Sequence, residues 1–428
     1  MFALNRSTER GRESMAVNYY GSPRWSGEIA DCSMPMTFDT YSNCSFGCVY
    51  CFSQYQRAIG GAKSDYLGKQ IKPINVEKVK RMFLEPDSSQ FGAYIRARKV
   101  MQWGGLSDPF DFYEKQQGVG LEMLRFFRSI DYPICFSTKG VWWVKDERYS
   151  DLFKGNKNWN VKVSIITLNE AKAAAIERGV ATPSERLDTI NEIAGWGGGG
   201  ATLRLRPFII GVSNPNHVDL IAKAAEAGAG AVSTEFFCLE RRSTHLKTKG
   251  LPVLDAACGF NVLEFYKRNS TGSGYLRLNR ELKRPYVDEM EAACRETGLR
   301  FYVSDAHFKE RCCNGSCCGL SPEWNYSRGQ FTEALLLCKQ KGSVRWADIA
   351  EEASFLKEFK WGKAEGFNSN SAERRAAFHY HSMFDYLRWL WNNPNSGQSP
   401  YKMFGGVISP SGTDDEGNLI YSLQSEKL

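Results

Sequence analysis

The chain has 428 residues, of which 42% are hydrophobic and 13% aromatic, and its formal net charge is +7. That length exceeds one ordinary core and predicts a large domain with an appendage. No apolar run reaches the roughly eighteen residues of a membrane-spanning helix, so no membrane partner is expected.

The N-terminal stretch, residues 1–33, is polar and lacks the apolar segment of a secretory signal, which makes a cytoplasmic protein the expectation. From residue 34 to 310, short β-branched or aromatic runs alternate with helical patterns. Strands are predicted over MPMTFDTY (34–41), RKVMQWG (98–104), YPICFST (132–138), NVKVSII (160–166), TLRLRPFII (202–210), GAVSTEFF (230–237) and LRFYVSD (299–305). Amphipathic segments such as VEKVKRMFLE, GLEMLRFFRSI, SERLDTINEIAG and HVDLIAKAAEAG lie between them. Such alternation predicts an α/β fold with a parallel sheet curved into a partial (β/α)6 TIM-type barrel, whose chemistry gathers at the C-terminal ends of the strands. GWGGGG (195–200) has no Lys-Ser/Thr behind it and reads as a helix-to-strand turn, not a phosphate loop.

Beyond residue 310 the character changes. Residues 311–330 form a Cys-rich segment, ERCCNGSCCGLSPEW, expected to fold over the barrel mouth. Residues 331–428 read as a mainly helical region that ends in a hairpin around a Gly/Asp-rich turn. In this region RWLWNN and FKWGK mix aromatic and basic residues, a pattern that suits either nucleic-acid contact or packing onto a neighbouring domain. The modest positive charge permits a polyanionic partner without demanding one.

Thirteen cysteines are an odd number for a cytosolic chain, and clustered ones point to metal or catalysis before disulfides. The scattered ones, Cys32, Cys135, Cys238, Cys258, Cys294 and Cys338, read as structural thiols. Cys44, Cys48 and Cys51 stand in a Cys-x3-Cys-x2-Cys array, with Tyr50 before the last, directly after the first predicted strand. Three thiolates can hold three irons of a [4Fe-4S] cluster and leave the fourth open. A zinc site would want four ligands in two pairs, and no second pair lies nearby in sequence.

This array resembles the signature of radical S-adenosylmethionine (SAM) enzymes. WGGLSDPFDFYE, FSTKGVWW, KVSIITL and IERGVATPSERLDTINEIAGWGGGGATLRLRPFIIGVSN follow in an order similar to that of the spore photoproduct lyase and DNA-photolyase-like branch, over roughly residues 34–240. The resemblance implies a radical SAM barrel with a [4Fe-4S] cluster at Cys44, Cys48 and Cys51 and SAM on the open iron. It further implies SAM contacts from Tyr50, Gly104, Gly105, Ser107, Asp108, Lys139, Ser164 and Arg206: backbone approach at the glycines, a carboxylate partner in Lys139, hydroxyls at Ser107 and Ser164, loop ordering or contact by Asp108. An electron donor such as flavodoxin or ferredoxin is implied as well.

One departure stands out. In spore photoproduct lyase a cysteine two residues before the serine of the second-strand motif returns a hydrogen atom to the product radical, and here that position is Gly105. The function expected is therefore modification, rearrangement or repair of a nucleic-acid base, thymine-derived and in DNA, with isomerisation of a hypermodified viral thymine as one form. The alternative is a radical SAM peptide or protein maturase with an auxiliary cluster. Cys312, Cys313, Cys317 and Cys318, in a Cys-Cys-x3-Cys-Cys pattern, are the candidates for a second Fe-S cluster or other metal, with a radical-chemistry thiol and a structural role as the other readings. His307 nearby is a candidate ligand or an ordinary loop histidine.

Overall fold

A computed structural model describes residues 18–53, 70–241, 243, 246–271, 275–359 and 382–428. Sixteen strands occur among the described residues. Eight of them form one sheet in the order β1-β2-β4-β5-β6-β8-β9-β13. These are β1 (Arg24–Trp25), β2 (Met36–Phe38), β4 (Met101–Trp103), β5 (Ile134–Thr138), β6 (Trp159–Ser164), β8 (Ala201–Phe208), β9 (Ala231–Phe236) and β13 (Arg300–Val303). All neighbours pair in parallel except β1, which lies antiparallel to β2 along one edge.

Every predicted strand is found, trimmed by a few residues at its ends. The N-terminal stretch contributes β1, which the sequence did not announce. Parallel neighbours need crossovers, and helices supply them. Val76–Leu84 starts on the Asn75 side chain, which accepts from the Lys78 N–H, and buries Val79 and Phe83 one turn apart. Pro183–Ala194 starts on a capping box between Thr182 and Glu185 and lies against β6 and β8. Arg280–Thr297 stops at Gly298, which is left-handed at φ 73°.

The two faces of the sheet differ in chemistry. Phe136, Val161, Val163, Leu203, Leu205 and Val232 are fully buried on the helix-covered face. At about 1.5–3 kcal/mol for each such side chain, this layer holds the sheet to its helices. The opposite, interior face alternates with it and carries Cys135, Ser137, Asn160, Lys162, Ser164, Thr202, Arg204, Ser233 and Glu235.

Three smaller sheets complete the described structure. β3 (Gly47–Cys48) pairs antiparallel with β7 (Glu177–Arg178). β10 (Leu239–Glu240) and β11 (Ser270–Thr271) flank β12 (Tyr275–Leu278). β14 (Ser343–Arg345), β15 (Ile408–Thr413) and β16 (Leu419–Leu423) form the third. The terminal hairpin is as predicted, but β14 falls where VRWADIAEEASFLKEFKWGK was read as helical. Val344 is fully buried while Ser343 and Arg345 are exposed, an alternation of period two that the longer helical pattern hid.

Within RWLWNN, Leu390 and Trp391 are core, while Arg388 and Trp389 are half-buried and Asn392 is exposed. Trp391 is fully buried, stacks edge-on with Tyr421 and donates its ring N–H to Leu419 O at 2.7 Å, while Leu387 and Leu390 are buried beside it. Residues 360–363 of FKWGK and the helical reading over 371–381 lie outside the described residues. GWGGGG is the expected turn between Pro183–Ala194 and β8, with Gly197 and Gly200 at positive φ.

The Cys-rich segment is placed differently from the expectation. It runs back alongside β13 and crosses the N-terminal end of the barrel, opposite the mouth. The Cys313 N–H donates to Phe301 O, Ser233 Oγ to Cys317 O, and Gly319 sits against Thr202 at the start of β8. Cys317, Cys318, Leu320 and Tyr326 pack with Met34, Val100 and Cys135, which all lie where strands begin. An open parallel sheet exposes apolar edges at that end, and this segment covers them. Among the described residues no helix is long and apolar enough to cross a membrane.

Candidate active site

The loop that follows β2 carries Cys44, Cys48 and Cys51 to the C-terminal end of the sheet. Two anchors hold it. Ser45 N–H donates to the Asp111 carboxylate at 2.6 Å, and Ser45 Oγ accepts from Phe112 N at 3.1 Å, which ties the loop to the helix Phe112–Gln117 after β4. On its other side, Cys48 pairs with Glu177 in the β3–β7 ribbon, and the Val49 N–H donates to Ile176 O at 2.9 Å. Burial raises the Cys44 and Cys48 thiols, Cys48 to about 12; Asp111 and Asp108, and more weakly Cys51, raise Cys44 further, while at Cys48 Lys139 acts against burial, Glu177 and Cys51. Cys51 thus acts on both other thiols, and Lys139 on Cys48.

An all-thiol donor set of this kind suits an iron–sulfur cluster. Among the described residues no three His, Cys, Asp or Glu side chains close on a point that would bind a single metal ion. A cube takes one thiol per iron and spreads its ligands around the cluster, so three thiols distributed along one anchored loop fit it.

Tyr50 is buried beneath the loop, and its hydroxyl donates to the Glu177 carboxylate. Glu177 in turn receives Arg186 at 2.7 Å, with both side chains 1% exposed. Burial raises the Glu177 carboxyl, but Arg186 and Lys139 outweigh it and keep the group below its ordinary range. The Lys139 ammonium stands 5.8 Å from the Tyr50 ring centroid. Lys139, Tyr50 and the thiols therefore share one constellation.

The GGLSDP loop is fixed by two carboxylates. Asp39, at the end of β2, accepts the Leu106 and Ser107 N–H groups at 2.9 Å and the Ser107 hydroxyl at 3.3 Å, and it pairs with Arg24 of β1. Asp108 accepts Phe110 N–H at 2.9 Å, Thr138 Oγ1–H at 2.6 Å and Lys139 N–H at 2.6 Å. Gly104 has φ 94°, and a Cβ there would stand 2.4 Å from Ser137 O. Its lack of a side chain is demanded by the β4–β5 approach itself. At Gly105 a Cβ would meet the Arg24 guanidinium at 2.8 Å and Thr37 beyond it.

Ser164 and Arg206 converge through a residue the sequence reading passed over. Arg204, between them in register, donates to Ser164 Oγ at 3.2 Å and to Arg206 O at 3.3 Å. Burial and the Arg206 charge push the Arg204 pKa down to about 10. Arg206 pairs with Glu235; burial opposes its charge, but Glu235 and the nearby Cys318 thiol raise it. The alternation TLRLRP signalled both arginines as inward-facing. Likewise Lys162, flanked by valines in NVKVS, marked a polar interior. Asp39, Asp111, Glu177 and Arg186 carried no comparable signal.

The four thiols of the second cluster do not face one point. Cys312 exchanges hydrogen bonds with the Val303 backbone at 3.2 Å and Cys313 is exposed, while Cys317 and Cys318 are buried. His307 sits by Asp305 with Nδ1 4.0 Å from the carboxylate, where burial lowers its pKa.

No family model matches the chain, and no curated protein matches it in sequence. Among solved structures it is similar to a spore photoproduct lyase mutant with bound AdoMet and dinucleoside spore photoproduct, at 15% identity over 67% of this chain and 80% of that one, with a TM-score of 0.48. It is also similar to Streptococcus suis SuiB bound to S-adenosylmethionine, at 14% identity over 65% of this chain and 52% of that one, with a TM-score of 0.40.

Proposed function

We propose that this protein is a radical SAM enzyme that modifies, rearranges or repairs a thymine-derived base in DNA. The observation that carries the reading is the anchored Cys44, Cys48 and Cys51 loop at the C-terminal end of a parallel sheet, with Lys139 beside it. When bound, the cluster and SAM supply a 5'-deoxyadenosyl radical, so the protein's work is positioning and shielding.

Lys139 offers its ammonium to the SAM carboxylate, and Tyr50 holds the floor under it through Glu177 and Arg186. Asp39 and Asp108 fix the backbone that faces the methionine amine. Deeper in the barrel, Arg206 and Glu235 set donors and an acceptor side by side, the combination that the edge of a base requires. A base in duplex must leave the stack before an interior site can reach it.

Gly105 offers no thiol to return a hydrogen atom, and its neighbours Arg24 and Thr37 offer none either. That favours an isomerisation, which needs no thiol donor, over spore photoproduct repair. A flavodoxin or ferredoxin serves as reductant in this reading.

The test is formation of 5'-deoxyadenosine by anaerobically reconstituted protein with SAM and reductant, with and without thymine-containing DNA. A DNA-dependent rise supports the whole reading. Cleavage indifferent to DNA keeps the radical chemistry and removes the DNA substrate. No cleavage by protein with a verified cluster removes the radical chemistry itself.

A further inference from the structure

Six large apolar side chains stay exposed among the described residues, and two of them, Phe52 and Phe112 at 47% and 49%, stand at the thiol loop. Phe52 directly follows Cys51. The Phe112 ring packs on the loop itself. It meets Phe46, which lies between Cys44 and Cys48, edge-on with centroids 5.6 Å apart. It also reaches Gly179, just past β7, where a Cβ would touch Phe112 Cε2 at 3.4 Å. Phe46 is buried, so the aromatic pair runs from solvent to the segment between two thiols.

The rim of this patch is basic. Lys115, one helical turn beyond Phe112, is exposed, and its ammonium lies 5.8 Å from the Trp142 ring centroid. Arg178 is exposed on β7, in register with Gly47 of the thiol loop. The acids of the same two segments, Asp111, Glu114 and Glu177, are buried. Each is already taken: Asp111 by main-chain N–H groups, Glu114 by Tyr41, Tyr149 and Gly120, and Glu177 by Tyr50 and Arg186. Asp146, on which the Lys115 charge acts, is paired with Arg148 at 2.6 Å. The exposed charge beside Phe112 is therefore positive.

We infer that Phe112, flanked by Lys115 and Arg178, is where an acidic electron-carrier protein of the flavodoxin class docks to reduce the cluster. The inference rests on the iron–sulfur reading of Cys44, Cys48 and Cys51 and adds the place at which the electron enters. Electron-transfer partners meet over small interfaces, below about 1,200 Å² in total, so an exposed ring with a charged rim suffices as the landing point. The rim charges steer an acidic carrier into contact, and salt screens that steering. One electron passes: the carrier is oxidised by one, the cluster is reduced by one, and no bond is made or broken.

The full chain, reconstituted anaerobically, is offered reduced flavodoxin or dithionite at low salt, and bleaching of the cluster absorbance is followed. Flavodoxin affinity is measured separately by titration. In Lys115→Glu/Arg178→Glu, bleaching by flavodoxin should slow and affinity should fall, each about tenfold or more, while dithionite bleaches both proteins alike. The same reversal at Lys154 and Lys157, exposed just before β6 at the opposite end of the sheet, should leave both readouts unchanged.

A Lys115/Arg178 variant that flavodoxin binds and reduces like wild type overturns the docking site, and so does an equal loss in the Lys154/Lys157 control. Wild type that dithionite bleaches but flavodoxin neither binds nor reduces overturns the carrier. No bleaching by either reductant removes the cluster reading, and the inference with it. In wild type alone, carbodiimide coupling of flavodoxin carboxylates should join Lys115; a complex cross-linked only through other lysines overturns the docking site without any variant.

Discussion

The carboxylate of Asp108 accepts the main-chain N–H of Lys139 at 2.6 Å, so the loop that ends one strand fixes the end of the next. Thr138 and Phe110 bind the same carboxylate, which is 9% exposed. Lys139 is thereby presented to the thiol loop by a backbone that cannot drift.

Asn in place of Asp108 turns an amide toward donors and loses at least one bond, at a cost of about 1–3 kcal/mol. Burial pushes the Asp108 carboxyl up to about 6, against the three donors. The unfolded value lies near 3.9, so the folded state binds the proton more tightly. The ionised residue therefore contributes least to stability above pH 6, and its contribution improves as the pH falls from about 6 to about 4. Urea denaturation of wild type and Asp108→Asn should show the difference moving toward the wild type by about 2–3 kcal/mol between pH 7 and pH 4. A difference that stays flat would place the carboxyl at its ordinary value.

Replacing Cys44, Cys48 or Cys51 singly by Ala should abolish 5'-deoxyadenosine formation and most bound iron while the far-ultraviolet circular dichroism stays unchanged. Iron content after anaerobic reconstitution is the direct readout. A variant that keeps both iron and SAM cleavage takes that thiol out of the ligand set.

Lys139→Ala removes a charge-assisted contact worth about 1.5–3 kcal/mol, so SAM should bind roughly 10- to 100-fold more weakly. Equilibrium binding to the reconstituted protein measures it. Because the Lys139 side chain supports no strand or helix, the melting temperature should hold; equal affinity in the two proteins rejects the assignment.

The adjacent glycines should behave differently. Gly104→Ala forces φ 94° on a residue with a Cβ and drives that carbon onto Ser137 O, which costs about 2 kcal/mol or more. Gly105→Ala meets only the far end of the Arg24 side chain and should stay within about 1 kcal/mol. Chemical denaturation of the pair decides, and a reversed order would contradict the backbone geometry.

Arg186→Met leaves Glu177 charged in a site 1% exposed and withdraws the hydrogen bond to Ser164 O at 2.7 Å. Breaking such a buried pair costs about 3–5 kcal/mol. Thermal unfolding should register a marked fall, and a change below about 1 kcal/mol would mean the pair is not closed in solution.

Much of this architecture was legible in the chain. The strands announced themselves because parallel strands buried on both faces are short, dense in Val, Ile and Phe, and bounded by helix caps such as Asn75 and Thr182. The triplet was legible because its spacing is local. What escaped was whatever depends on a distant partner. Two-residue strands like β3 and β7 have no periodicity to read, and the carboxylates of Asp39, Asp111 and Glu177 look like any surface acid until the fold encloses them. The Cys-rich segment was read from its position after the last strand, which says that it leaves the sheet but not to which end it turns.

The tie between Tyr50 and Glu177 spans 127 residues of sequence. A nascent chain that has displayed all three thiols still lacks the acid, the arginine and the ribbon strand that hold their loop. Nothing in the local sequence substitutes for those partners, so at that stage of synthesis the thiols are unorganised and exposed to whatever metal or oxidant they meet. Ordering of the loop must await completion of the chain through Arg186, which places assembly of the centre after the emergence of more than half of the barrel.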